Sequence, residues 1–216
     1  MGKENLERVF NQASAWDIEV ARNAWFRYQR LCGAIAQKHG FPMEIGAAVF
    51  AALSPNSDYH GNLRDTDRLL AAARAGQGID TFSVSAYGNN KHKAWRLVHG
   101  EEPLELIVAP KTRNFFLNIS DPTDPLPVTV DGHIFNAWAN ERLPLQSAAQ
   151  RERSKHYQEV AEAIRQIGAE RRLLPNVVQG LIWHCWKRLH HIRSSDQLEF
   201  WGSDYLAAGL GFGPAW

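Results

Sequence analysis

The run Val128-Thr129-Val130-Asp131-Gly132-His133-Ile134-Phe135 sets a carboxylate at the start of an apolar helix, and Lys111-Thr112-Arg113-Asn114, beginning twenty residues before Asp131, sets an amine at the start of another. Lys111 opens a stretch containing Phe115, Phe116, Leu117 and Ile119, and a Pro-rich loop from Asp121 to Pro127 leads on to Asp131. This order lets both groups face one cleft. A lysine in an apolar wall has its charged form disfavoured and can act as a free-amine nucleophile, while a carboxylate beside it assists the amine or a developing cation. Together they have the chemistry needed to form an imine.

Outward from this run the chain reads as helices. Residues 5–39 hold apolar side chains at helical spacing, Val9, Phe10, Ala13 and Trp16 and then Ala24, Trp25, Tyr28, Leu31 and Ile35, which predicts two helices stopping at Gly40. A buried helix over 43–53 closes at the turn Ser54-Pro55-Asn56, and an amphipathic one runs from Asn62 to Ala75, ending near Gly76. Phe82 to Tyr87 is short and ambiguous; Asn90 to His99 is helical and stops at Gly100, followed by a hairpin-like pair around Pro103 to Asn118. Helices over Ser154–Ile167 and Pro175–Leu189 complete the pattern, with Pro175 suited to a first turn. The expected fold class is all-α.

Composition narrows the class. With 216 residues and 44% hydrophobic content the chain can bury a core. It has no apolar run long enough for a membrane span and no secretory-type start, so a soluble cytoplasmic protein is expected. Two distant cysteines, Cys32 and Cys185, are too few for a disulfide framework or an iron–sulfur cluster and read as free buried thiols. His184, Cys185, His190 and His191 are metal-ligating types, but helical spacing turns 184 and 185 to different faces, so no metal is expected. Gly209-Leu210-Gly211-Phe212-Gly213 follows no strand and is a weak phosphate-loop candidate. The net charge of +1 is low for a nucleic-acid enzyme, though basic residues cluster at 151–155, 171–172 and 187–193 while acids gather at 101–105 and 121–131.

The order Lys-Thr, Asn, Leu-Asn, then Val-Asp-x-His-Ile-Phe resembles the core of the helix-hairpin-helix DNA glycosylases, in particular the endonuclease III branch in a form lacking the iron–sulfur cluster. Ala51-Ala52-Leu53-Ser54-Pro55-Asn56, Tyr87-Gly88-Asn89-Asn90 with Lys93-Ala94, and Asn176 to Leu189 extend the similarity over roughly 45–190. The resemblance implies a two-lobed helical domain over 1–216, a hairpin and aspartate region at about 100–140, and an irregular cap at about 198–216. It implies excision of a damaged or modified base from DNA, with Lys111 attacking the sugar C1′ of a flipped nucleotide and Asp131 activating it or stabilising the oxocarbenium-like sugar, without a cofactor and by a monomer. Asn56 corresponds to the side chain that fills the hole left by the flipped base. Ser57, Tyr59, His60, His133, Trp138 and Trp183 are expected at the substrate, His133 as a packing residue rather than a general base. Lys91, Lys93 and Arg113 are expected at DNA phosphates.

The chain departs from that family where it has Leu106-Ile107-Val108-Ala109-Pro110 in place of a glycine hairpin, removing permissive backbone positions and one N–H. Gly132 stands where Thr or Ser is usual, a change expected to open room in the pocket. Two other readings follow from the same residues. One is an enzyme on the glycosylase scaffold that joins an amine or amino acid to an activated thymine, as phage-associated relatives are implicated in doing. The other is a non-catalytic DNA-binding module, which would tolerate loss of both Lys111 and Asp131.

Overall fold

The computed structural model describes residues 2–55 and 57–192, and these are all-α, with no strand among them. Eleven α-helices follow in order: α1 (Lys3–Phe10), α2 (Ala15–Lys38), α3 (Met43–Leu53), α4 (Tyr59–Arg74), α5 (Gly88–Val98), α6 (Pro103–Leu106), α7 (Pro110–Ser120), α8 (Gly132–Ala139), α9 (Ala148–Arg153), α10 (Tyr157–Arg171) and α11 (Pro175–Leu189). None of them is long and apolar enough to cross a membrane. The cap expected at about 198–216 and Asn56 lie outside the described residues.

Local chemistry explains the boundaries. Gly40, Gly76 and Gly100 follow α2, α4 and α5 with positive φ, the conformation in which a helix commonly ends. The chain breaks between α1 and α2 at a reciprocal cap: Ser14 Oγ accepts from the Asp17 amide at 3.1 Å and Asp17 Oδ2 accepts from the Ser14 amide at 2.7 Å. That cap assigns Trp16 to α2, where it is 59% exposed, rather than to the apolar face of the first helix. Asp58 caps α4 through the Gly61 amide, so this helix starts three residues before the expected Asn62. The helix expected over 154–167 is preceded by α9 and a 3-10 turn, Ser154–His156, and begins only at Tyr157.

Two clusters of buried side chains organise the packing. One joins α1, α8, α10 and α11 with Val128 and Val130; the other joins α3, α4, α5 and α7 with most of α2. Helix α3 is buried continuously from Gly46 to Leu53, as a central helix must be. Its crossing with α2 depends on Gly46, where an added Cβ would sit 2.4 Å from the Cys32 carbonyl oxygen. Trp25 of α2 donates from Nε1 to the Asn176 carbonyl at the start of α11, linking the clusters.

A second link is electrostatic. Asp17 is 1% exposed and accepts from Arg188 of α11 at 3.1 Å, with His184 Nε2 3.5 Å away. Burial, reinforced by Arg188 and Lys187 and opposed by Asp17, holds the His184 imidazole down at about 4. The unfolded chain binds this proton near pH 6.5 and the folded chain only near 4, so stability conferred by the neutral ring is complete above 6.5 and lost as pH falls towards 4.

A third link is Tyr157, the first residue of α10, which is 8% exposed. Its hydroxyl lies 2.7 Å from the Val128 carbonyl and 3.2 Å from the Pro110 carbonyl as donor, and accepts from the Val130 amide at 3.1 Å and Asn114 Nδ2 at 3.0 Å. The start of α7 and the segment entering α8 are thereby pinned to the same atom. Nearby, Asn118 of α7 donates to Thr129 Oγ1 at 3.0 Å in a buried contact.

Two outcomes are expected. Tyr157→Phe keeps the ring but leaves the buried Val130 amide without its acceptor, and should lower unfolding free energy by about 2 kcal/mol in a urea titration; a loss below ~0.5 kcal/mol would show the hydroxyl to be dispensable. Between pH 6.5 and 4 the urea midpoint should fall, by an amount corresponding to at most about 3 kcal/mol, and His184→Gln should flatten most of that dependence. An unchanged slope in the variant would assign the titration to another group.

Candidate active site

A cleft of about 790 Å³ opens between the two clusters. One wall is aromatic: Trp25 and Tyr28 from α2, Phe50 from α3, Tyr59 from α4 and Phe115 from α7 all line it. Their rings touch one another in tilted and edge-to-face pairs, with centroids 5.4 Å apart for Tyr28 and Tyr59 and 5.8 Å for Trp25 and Phe115. Such a wall suits a planar, weakly polar ligand. Asn62 and Gln179 also line it, 3% and 6% exposed, and the amide oxygen of each has no hydrogen-bond partner among the described residues. Buried acceptors of this kind are rare and gain from a donor supplied by a ligand.

Lys111 and Asp131 both line this cleft. Pro110 occupies the first position of α7, where its missing N–H is no loss, and Lys111 follows it. The lysine is exposed, so the expectation of an amine sunk in an apolar wall is corrected; its apolar neighbour one turn on, Phe115, is the residue that joins the ring cluster. Asp131 is the N-cap of α8, its Oδ1 accepting from the Ile134 amide at 2.9 Å. Its Oδ2 accepts from Trp183 Nε1 at 3.0 Å. The two bonds fix the carboxylate's orientation. Lys111 and Asp131 form no ion pair with each other.

Helix α11 presents Gln179, Gly180, Trp183 and Lys187 to the cleft, residues spaced by about one turn along one face. Lys187 is only 2% exposed, and its ammonium lies 3.9 Å from the centre of the Trp183 ring. The sequence reading missed Lys187, Gln179 and Asn62; the four-residue steps 179, 183 and 187 were the available signal. His133 lines the cleft from α8, its ring 6.3 Å from that of Trp183 and its Nδ1 without a partner among the described residues. Burial holds its imidazole below the ordinary value against the pull of Asp131, with Lys187, Lys111 and Arg142 also pushing it down. The ring is therefore neutral at pH 7.

Among the other expected site residues, Ser57 and Tyr59 line the cleft, Ser57 with its hydroxyl donated to the Leu53 carbonyl at 2.9 Å. His60 does not line it; its ring packs beside Tyr59, 5.5 Å away. Trp138 is a correction: it is 3% exposed in the first cluster, because five residues beyond His133 is roughly 140° round the helix and faces the core with Ile134 and Phe135. Lys91 and Arg113 hold backbone instead of lining the cleft. Lys91 Nζ donates to the Phe82 carbonyl at 2.5 Å and covers that ring, and Arg113 donates to the Leu104 carbonyl at 3.2 Å. Lys93 is half-buried on α5, outside the cleft. The turn between α6 and α7 needs no glycine, since none of its residues has positive φ, and Val108 at its tip is 65% exposed.

Gly132 does not open room. A Cβ there would lie 2.7 Å from Leu145 Cδ2 and 3.2 Å from Gln150 Nε2, so the space is taken by the loop after α8. Arg142, Leu143, Pro144 and Leu145 of that loop rim the cleft. No group of three or more His, Cys, Asp or Glu side chains poised for a metal occurs among the described residues, and Cys32 and Cys185 are buried free thiols.

No curated protein and no solved structure matches the chain. A model of a family described as of unknown function, DUF7178, matches residues 2–190. That span contains every residue lining the cleft except Ile192, and over it the chain belongs to the DUF7178 family.

Proposed function

We propose that the cleft receives a nucleotide extruded from DNA and cleaves its N-glycosidic bond, on a two-lobed scaffold of the helix-hairpin-helix glycosylase type. The observation that carries this reading is the convergence of Lys111 and Asp131 on one aromatic-walled cleft, from two helix starts held by the same Tyr157 hydroxyl. An extruded base offers a flat face to the rings of Trp25, Tyr28, Phe50, Tyr59 and Phe115 and N–H groups to Asn62 and Gln179. Positive charge grows on the sugar as the C1′–N bond breaks and the base departs with the electron pair and a proton. Asp131, its orientation fixed, stabilises that charge. Lys111, once deprotonated, forms the new bond to C1′, the proton its nitrogen then sheds balancing the one taken up by the departing base, and ring opening gives an imine that eliminates to nick the strand. His133, neutral at pH 7, adds no charge.

A second reading is favoured by one observation, the apolar tip that Val108 gives the turn where a glycine hairpin would offer backbone N–H groups to a phosphate. It is the transfer of an amine to an activated thymine on the same scaffold. Product with an intact sugar–base bond and a heavier base would select it.

The test is a panel of oligonucleotides carrying damaged and hypermodified bases, incubated with and without borohydride. At least one should give a covalent adduct, which Lys111→Ala should lose; an adduct undiminished in that variant would assign the chemistry to another amine. Asp131→Asn should slow single-turnover cleavage by ~10²-fold or more. Because one amide oxygen cannot serve both the Ile134 amide and the Trp183 N–H as the carboxylate does, the same variant should also lose about 1 kcal/mol of stability. An Asn variant of unaltered rate would remove Asp131 from the mechanism.

A further inference from the structure

Charge in the cleft is unevenly spent. Its acids, Asp58 and Asp131, are both helix caps, Asp58 through the Gly61 amide at 2.8 Å and Asp131 through the Ile134 amide. Of its three cations, Lys111, Arg142 and Lys187, the exposed Lys111 and Arg142 have no ion pair or hydrogen bond among the described residues. Yet the loop that carries Arg142 is clamped. Asn136, 1% exposed, donates to the Leu143 carbonyl at 2.9 Å and accepts from the Leu143 amide at 3.3 Å. Arg153 donates to Asn136 Oδ1 at 3.1 Å and to the Glu141 carbonyl at 3.2 Å, and pairs with the Glu141 carboxylate. Leu145 seats against Gly132, where an added Cβ would meet its Cδ2 at 2.7 Å. An arginine on so restrained a backbone is held at the rim of the cleft.

Helix α11, which packs on α8, adds Lys187, a buried ammonium backed by the Trp183 ring. A cation in such surroundings gains more from an anion placed beside it than a solvated one does. His133 lines the same cleft with its Nδ1 unpartnered among the described residues, and burial, together with Lys187, Lys111 and Arg142, holds its imidazole below the ordinary value.

We propose that Arg142 and Lys187 form, beside His133, a subsite for an anionic group carried by the extruded nucleotide, either a phosphate of its backbone or an acidic substituent on its base. The subsite rests on the nucleotide reading of the cleft but not on any particular reaction there. Lys111 keeps the role of nucleophile, and the anion is held by the other two cations.

The test reads the His133 ring proton by NMR across pH in the full chain, with a His133→Gln variant for assignment. Inorganic phosphate at constant ionic strength should raise the His133 pKa saturably by about half a unit or more relative to chloride, with the other histidines as controls. Arg142→Gln, at an exposed position that leaves the loop clamp intact, should abolish the shift. Equal values in phosphate and chloride, or a shift that survives Arg142→Gln, would overturn the subsite. Two further ligands separate the sources: an abasic-site duplex that reproduces the shift assigns the backbone phosphate, and a deoxyuridine bearing a carboxyl group on its base assigns the substituent. A shift with neither overturns the nucleotide assignment. None of these measurements needs bond cleavage, so a subsite that binds in a protein that cuts no oligonucleotide would refute the excision reading and leave this one standing.

Discussion

One phenolic oxygen, on Tyr157, serves four groups: it can donate to the carbonyls of Val128 and Pro110 and it accepts from the Val130 amide and the Asn114 side chain. A hydroxyl has one hydrogen and two lone pairs, so the geometry saturates it. Pro110 immediately precedes Lys111, and Val130 immediately precedes Asp131. The two groups with the candidate chemistry stand on separate helices and do not touch, so their relative position has to come from whatever joins the backbones beneath them. Tyr157 makes that joint in a buried setting, where competing water is excluded and an unpaired partner is expensive.

The remainder of the site hangs from the same frame. Asp131 ends the pinned segment as the cap of α8, and its second oxygen takes the Trp183 N–H, so α11 is brought into register with α8. Trp183 in turn supports Lys187. Across the cleft, α7 continues from Lys111 to Phe115, whose ring completes the aromatic wall with residues of α2, α3 and α4. The cleft therefore offers both aromatic surface and cations, a combination suited to a ligand with a flat apolar part and a charged part.

Helix type and order were legible in the sequence because the apolar spacing and the glycine stops at 40, 76 and 100 are strong local signals. The start of α2 was not, because Trp16 continues the apolar rhythm while the reciprocal Ser14–Asp17 cap resets the chain. Lys111 and Asp131 were legible as helix starts, and the structure places both on the cleft. Lys187 and Arg142 were not: one looked like part of a basic surface run, and the other reaches the rim only because Asn136, Arg153 and Gly132 bend its loop back. Trp138 was assigned to the cleft by residue type alone, without regard to the face it shares with Ile134. Lys91 and Arg113 had the charge expected of phosphate contacts, and each also holds a backbone carbonyl nine residues earlier, a contact that apolar spacing and charge do not reveal.

The central claim is that the Tyr157 hydroxyl holds the segment before Asp131 against the start of α7, and amide hydrogen exchange at Val130 measures that directly. In the native protein the Val130 amide should exchange as slowly as those of the deeply buried residues Ile164 and Leu181. In Tyr157→Phe it should open locally, exchanging at least about ten-fold faster than those core amides. A Val130 amide that in the variant still exchanges in step with the core would show that the segment is held by other contacts and would contradict the account.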